Sequence, residues 1–301
     1  MITGIHFLLT YTCNFECDHC FLYCGPNSEG TFTLNELRQV HEEMDKIGSI
    51  KTVYYEGGEP FLFYPLMLEG IKMSSDRGFK TGVVTNSYWS ISDEDAELWL
   101  KPLLKLGVSD VSISNDAFHH GESNENPSTR ALAALKRLRM SGGDICIEKP
   151  TIDMEKTQEK GEPVIGGGAM FRGRAVEKLI EKELPTKHWE EFIECPHEDL
   201  ENPSRVHLDP FGNVHLCQGL SMGNMWKTPL SELVKNYDAN NHPICNPLVK
   251  GGPALLAKTH KVDHEEYFVD ACHFCYTVRL ALLDQFPEYL TPKQVYGLTI
   301  E

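Results

Sequence analysis

The sequence predicts an α/β protein built on a parallel sheet, with a smaller α+β region at its C-terminal end. Strand-like and helix-like segments alternate from Gly4 to about Lys149, the polar motifs fall at the C-terminal ends of the strand-like runs, and beyond a soft boundary near Pro185 the alternation stops. A parallel sheet places its functional loops at those strand ends.

The apolar run Ile5 to Leu9 is the first strand. Thr33-Leu34-Asn35-Glu36 fits a capping box, and Leu37, Val40, Met44 and Ile47 continue at helical spacing to a stop at Gly48. Thr52-Val53-Tyr54-Tyr55 is a short strand running into Glu56-Gly57-Gly58-Glu59-Pro60, followed by a helix from Pro65 to Arg77 and a third strand from Lys80 to Thr85. The pattern then repeats. Ser92-Asp93-Glu94-Asp95 caps a helix through Leu104, Val108 to Ile113 is a strand, Ser128 to Met140 is a helix with Leu132, Leu135 and Leu138 on one face, and Asp144 to Glu148 is a strand. Thr151 to Gly168 reads as a long polar loop, either a lid or a surface insertion, before Phe171-Arg172-Gly173-Arg174-Ala175 leads into a helix from Val176 to Lys182. In the last third, Val206 to Cys217 reads as a hairpin around Pro210-Phe211-Gly212-Asn213, and Thr228-Pro229 opens a short helix through Leu230, Leu233 and Val234.

Composition narrows the function. With 41% hydrophobic and 24% charged residues the chain is of ordinary globular type, and its net charge of −16 argues against a nucleic-acid partner, which needs cationic groups for phosphates. Lys136, Arg137 and Arg139 read as the solvated face of a helix. The start, Met1-Ile2-Thr3-Gly4, lacks a signal pattern and no apolar run approaches a membrane span, so a cytoplasmic protein without a membrane partner is expected. Ten cysteines in such a setting point to metal or redox chemistry rather than disulfides. Cys146 alone stands apart, as a small buried side chain.

The densest signal is Tyr11-Thr12-Cys13-Asn14-Phe15-Glu16-Cys17-Asp18-His19-Cys20, with its C-x3-C-x2-C spacing on the loop leaving the first strand. Three thiolates can hold three corners of an iron–sulfur cluster and leave one metal open. The same residues also suit a structural zinc site completed by Cys24, or a turn of reduced thiols.

With Gly57-Gly58-Glu59-Pro60 at the next strand end, the sequence resembles the radical S-adenosylmethionine (SAM) enzymes over roughly residues 4 to 185. The resemblance implies a partial (β/α)6, TIM-like barrel, with a [4Fe–4S] cluster on Cys13, Cys17 and Cys20 whose open iron binds SAM. It further implies reductive cleavage of SAM to methionine and a 5′-deoxyadenosyl radical that abstracts a substrate hydrogen, with electrons from a donor such as flavodoxin or ferredoxin. Matching residue by residue, Gly57, Gly58, Glu59 and Pro60 resemble the segment at the SAM amino group, Ser114 and Asp116 of Ser114-Asn115-Asp116 resemble an S-x-D that meets the ribose or carboxylate, and Thr85-Asn86 resembles a common third-strand ending. His19 departs from the pattern, standing where an aromatic residue usually packs near the adenine. His119 and His120 follow the S-x-D segment and are given no catalytic role.

The C-terminal part, residues 186–301, resembles the SPASM or twitch auxiliary-cluster domains through Cys195, Gly212-x4-Cys217 and Cys272-His273-Phe274-Cys275. The resemblance implies a second [4Fe–4S] cluster on Cys195, Cys217, Cys272 and Cys275, with zinc on the same four thiolates as the rival. Cys245 is an alternative ligand, a weak candidate hydrogen donor to a product radical, or inert. Such auxiliary domains accompany peptide maturation, which implies a peptide or protein substrate. No recognition module is evident before Gly4 or after Glu301, which leaves recognition to a partner or to the barrel mouth. A small-molecule substrate and a non-enzymatic zinc or iron–sulfur regulator are the competing functions.

Overall fold

The computed structural model describes residues 1–123, 125–148, 160–162 and 165–298. The first elements are β1 (Gly4–Thr10), α1 (Leu34–Ile47), β2 (Thr52–Gly57), α2 (Tyr64–Asp76), β3 (Lys80–Thr85), α3 (Asp93–Lys105), β4 (Asp110–Ser114), α4 (Ala117–His120), α5 (Pro127–Leu138), β5 (Gly142–Glu148), β6 (Gly166–Gly168) and α6 (Arg174–Lys178). They are followed by β7 (Lys187–His188), β8 (Arg205–Leu208), β9 (Asn213–Cys217), β10 (Leu220–Asn224), α7 (Leu230–Asn236), α8 (Cys245–His260), β11 (Tyr267–Phe268) and α9 (Ala271–Ala281).

β1 to β6 pair in parallel and in chain order, giving a partial (β/α)6 barrel. β8 pairs in parallel with the free edge of β1, and β9 and β10 continue antiparallel, so the C-terminal segment extends the same nine-stranded sheet. β1 is buried along its whole length because both its faces are covered, which explains its nearly unbroken apolar run.

Local chemistry sets the element ends. Thr33 and Glu36 close the capping box of α1, and Gly48 ends the helix at φ 72°, in the left-handed region that glycine tolerates. Leu37, Val40 and Met44 bury one face of that helix. Ser92 caps α3 through the Asp95 amide, as its sequence indicates.

The structure also departs from the pattern reading. Gly166–Gly168 is the sixth strand, paired with Cys146–Glu148, where the sequence suggested the end of a loop. Three glycines carry no side-chain periodicity, so only backbone pairing defines that strand. The rest of the expected loop falls mainly on residues 151–159, 163 and 164, outside the described residues. The sixth helix starts earlier and is shorter than expected, Arg174–Lys178, because the Arg174 amide is tied to Cys20 O at 2.9 Å. The hairpin of β8 and β9 gains a third strand, β10, and Cys272 and Cys275 lie on helix α9.

Candidate functional site

The cysteine loop leaves the C-terminal end of β1 and folds back on itself. Its base is closed by the Thr10–Thr31 bridge and by hydrogen bonds from Tyr11 N to Gly30 O (2.9 Å) and Cys13 N to Gly25 O (3.0 Å). Cys13 is buried, while Cys17 and Cys20 are half-buried. Backbone amides point at two of the sulfurs, Phe15 N to Cys13 Sγ and Cys24 N to Cys20 Sγ, both 3.4 Å. Such donors favour the thiolate form. Cys24 lies buried beside Cys20.

The glycines after β2 serve this loop. Gly58 N donates to Thr10 O (2.7 Å) and Glu59 N to Thr12 O (3.0 Å). A Cβ on Gly57 would lie 2.4 Å from Thr10 O, and one on Gly58 would lie 2.2 Å from Thr12 O. Both positions are glycine because another backbone passes there, a reason the sequence motif does not reveal.

Glu59 is fully buried and ties together the second and third strand ends. Its carboxylate accepts from Phe61 N (3.0 Å), Thr85 Oγ1 (2.8 Å) and Asn86 N (2.7 Å), and the buried Pro60 begins the single turn that follows. Burial pushes the carboxyl up to about 7, against hydrogen bonds that favour its charged form. Asn86 donates from Nδ2 to Asn14 Oδ1 (2.9 Å) and lies 3.7 Å from Cys13 Sγ. The third-strand end is thus joined directly to the cysteine loop.

Ser114 ends β4, its carbonyl taken by the Ser128 hydroxyl at 2.6 Å. Asp116 caps α4 through His119 N and accepts from the His119 ring (2.7 Å) and from Ile147 N (3.3 Å). Burial opposes ionisation of Asp116, but His119 outweighs it and holds the carboxyl below its usual range. Burial likewise disfavours charge on His119, yet its hydrogen bonds to Asp116 and Cys17 raise it to about 10. His19 stacks on Phe118 at 4.5 Å, burial and the His119 charge bring it down to about 4, and its Nδ1 is buried without a partner among the described residues. The ligating atoms of His19, Asp116 and His119 lie within 4.8 Å of one another. A cleft of about 850 Å³ opens here, lined by Asn14, Cys17, Phe118, His119 and Leu179 among others. A larger cleft, about 930 Å³, is lined by residues from Phe211 to Leu298 and by none of the cysteines.

A second group of thiols gathers at the other end of the chain. Cys217 closes β9, Cys272 and Cys275 lie on one face at the start of α9, and Cys195 comes from the segment after β7. Burial raises Cys195, Cys272 and Cys275, and these thiols and Cys217 lie close enough to influence one another electrostatically. Two arginines the sequence did not single out for this site face Cys217. Arg172 Nη1 is 3.2 Å from its sulfur and Arg279 Nη1 4.0 Å, both side chains are buried, and the Nε atoms of both lack partners among the described residues. Cys245 is buried at the start of α8 beside the Tyr237 hydroxyl, within electrostatic reach of Cys217, Arg279 and Cys275, and burial pushes it up to about 12.

One short segment connects the two thiol groups. While Arg172 reaches Cys217, Arg174 donates to Cys17 O (2.9 Å) and Cys24 O (2.8 Å). Gly173 between them packs so tightly on Cys20 and Phe21 that a Cβ would lie 2.6 Å from Phe21 Cα. Tyr11 adds a second link, donating to Asp209 Oδ2 (3.0 Å) at the β8–β9 turn, where His215 also binds Asp209 (3.0 Å).

The fold and loop define a partial (β/α) barrel with a three-thiol loop at its C-terminal strand ends. Residues 7–155 match the radical SAM superfamily, and this stretch of the chain belongs to it. Over 153 residues it is 29% identical to a tungsten-containing aldehyde ferredoxin oxidoreductase cofactor-modifying protein of Pyrococcus furiosus, covering 49% of this chain and 41% of that one. It is 26% identical over 107 residues to YydG of Bacillus subtilis, provisionally named a peptide biosynthesis protein, covering 36% of this chain and 34% of the relative. The matches thus span well under half of these relatives. Among solved structures, BtrN in complex with AdoMet and 2-DOIA is 15% identical, covers 78% of this chain and 83% of its own, and has a TM-score of 0.49. Among the described residues no helix is long and apolar enough to cross a membrane.

Proposed function

We propose that this chain reductively cleaves SAM and uses the resulting 5′-deoxyadenosyl radical to modify a peptide. Cys13, Cys17 and Cys20 would hold a [4Fe–4S] cluster, which supplies the electron for that cleavage. The observation that carries the reading is the locked junction of cysteine loop, Gly57-Gly58 and Asn86, which ties the three-thiol loop to the two neighbouring strand ends. The His19 Nδ1 beside the loop, without a partner among the described residues, suits a site that takes a polar ligand, and the segment from Gly57 to Pro60, with Thr85, Asn86, Ser114 and Asp116, would form its rim.

Cys195, Cys217, Cys272 and Cys275 are the proposed ligands of an auxiliary [4Fe–4S] cluster in a C-terminal unit, residues 186–301, beside a core of residues 1–185. Four thiolates around such a cluster leave net negative charge, and the buried Arg172 and Arg279 guanidinium groups suit that charge. The peptide substrate is supported by the relation to YydG, and a flavodoxin or ferredoxin is the proposed electron donor.

Anaerobic reconstitution with iron and sulfide, then dithionite and SAM, tests the chemistry. The expected result is 5′-deoxyadenosine well above a Cys17→Ala control, with about eight irons per chain rather than about four. No product above that control refutes the radical reading and leaves a non-enzymatic metal protein. Turnover of small metabolites alone, with no short peptide modified, refutes the peptide substrate.

A further inference from the structure

Away from both thiol groups, three ligating side chains meet on the inner face of the sheet. In the ladder of β2, β1 and β8, His6 stands opposite His207 on one side and Tyr54 on the other. Their chain neighbours Phe7 and Tyr55 stack on each other at 5.2 Å, and Phe7 also stacks on His41 of α1 at 5.6 Å. Those two residues therefore face the outer helix layer, and strand alternation turns His6, Tyr54, Glu56 and His207 to the opposite, concave side.

There Glu56 Oε1 meets both imidazoles, His6 Nδ1 at 3.3 Å and His207 Nε2 at 3.1 Å. All three ligating atoms lie within 4.8 Å of one another. With metal–ligand bonds of about 2.1 Å, ligands at right angles lie about 3.0 Å apart and tetrahedral ones about 3.4 Å. The two measured separations fall within that span. The donors sit on strands rather than loops, and His6 is held by a stack on Tyr54 at 4.8 Å and 16°.

We infer that His6 Nδ1, Glu56 Oε1 and His207 Nε2 are the protein ligands of a divalent first-row transition ion, iron(II) or zinc, inside the barrel. Two imidazoles and one carboxylate form the donor set such ions favour, and three protein ligands leave coordination positions open.

The position gives the ion a use. Glu56 lies two residues before Gly58, about 7 Å along the strand from the cysteine loop's anchor. An ion there has its open positions on the concave face, where it binds an oxygen or nitrogen of the substrate and holds the substrate beneath the strand ends. This anchoring role rests on the proposed radical chemistry, whereas the metal site itself does not.

Full-length protein, reconstituted anaerobically so that its thiols are occupied by iron and sulfide, is treated with a chelator and titrated with Co²⁺. The expected result is about one tightly bound equivalent with weak visible d–d bands and no thiolate-to-cobalt charge transfer. Glu56→Gln and His207→Gln each weaken binding more than about tenfold, and Tyr54→Phe does not. Circular dichroism and cluster absorption report whether the variants fold. If they do not, X-ray absorption of the wild-type zinc form decides. A first shell of nitrogen and oxygen at about 2.0–2.1 Å supports the site, and sulfur in that shell overturns it. No bound Co²⁺, or equal affinity in folded variants and wild type, overturns it as well. These readouts need no SAM turnover, so they stand or fall apart from the radical reading.

Discussion

Gly58→Ala tests whether the glycine motif exists for backbone packing. The new Cβ would sit 2.2 Å from Thr12 O and 2.6 Å from Thr12 C, where ordinary contact begins at 3.4 Å. The cysteine loop must therefore retreat by about 1 Å, which strains both backbone hydrogen bonds that hold it, Gly58 N to Thr10 O and Glu59 N to Thr12 O. Loss of most of two hydrogen bonds costs about 1 kcal/mol each, and overpacking adds about 1–3 kcal/mol, for a total of about 3–5 kcal/mol. Gly58 does not have a positive φ, so alanine is conformationally acceptable and the penalty is steric. Gly143→Ala serves as control, because its Cβ would meet nothing within 4 Å among the described residues. Anaerobic urea denaturation of the apo chain measures stability, and iron content after reconstitution measures the loop. If Gly58→Ala stays within about 0.5 kcal/mol of wild type and binds full iron, the packing argument is wrong.

Two further perturbations probe other parts of the molecule. His41 is fully buried, with Nδ1 2.6 Å from Leu37 O and Nε2 2.8 Å from Ser74 Oγ, and burial lowers it to about 4. Its folded value lies below the unfolded one of about 6.5, so its contribution is fully present above pH 6.5 and is lost as pH falls toward 4, on the order of 3 kcal/mol. His41→Gln should flatten that part of the wild-type stability–pH curve, and an unchanged slope would exclude His41 as its source. At the second thiol group, Arg172→Gln should lower iron from about eight toward about four per chain while SAM cleavage at the Cys13 loop persists, and Arg172→Lys should retain it. Full iron in Arg172→Gln would show that the guanidinium is not needed there.

The sequence by itself determined the barrel's order and the identity of the thiol loop. Alternation, the Thr33 capping box and the Ser92 cap depend on residues a few positions apart, and the Cys13, Cys17, Cys20 spacing is equally local. Gly166–Gly168 escaped the pattern because glycines have no side chains to alternate, and Cys272 and Cys275 gave no sign of their helix because two cysteines three apart suit a helix and a turn alike.

What only the tertiary structure decided depends on residues far apart in the chain. Arg172 and Arg279 approach Cys217 only once α9 and the β8–β9 hairpin have packed, and Tyr11 finds Asp209 from 198 residues away. His6 and His207 become neighbours solely because β8 adds to the free edge of β1. Nothing local encodes that edge pairing. It follows from burying β1 on both faces and satisfying its exposed backbone, a condition the folded sheet meets as a whole.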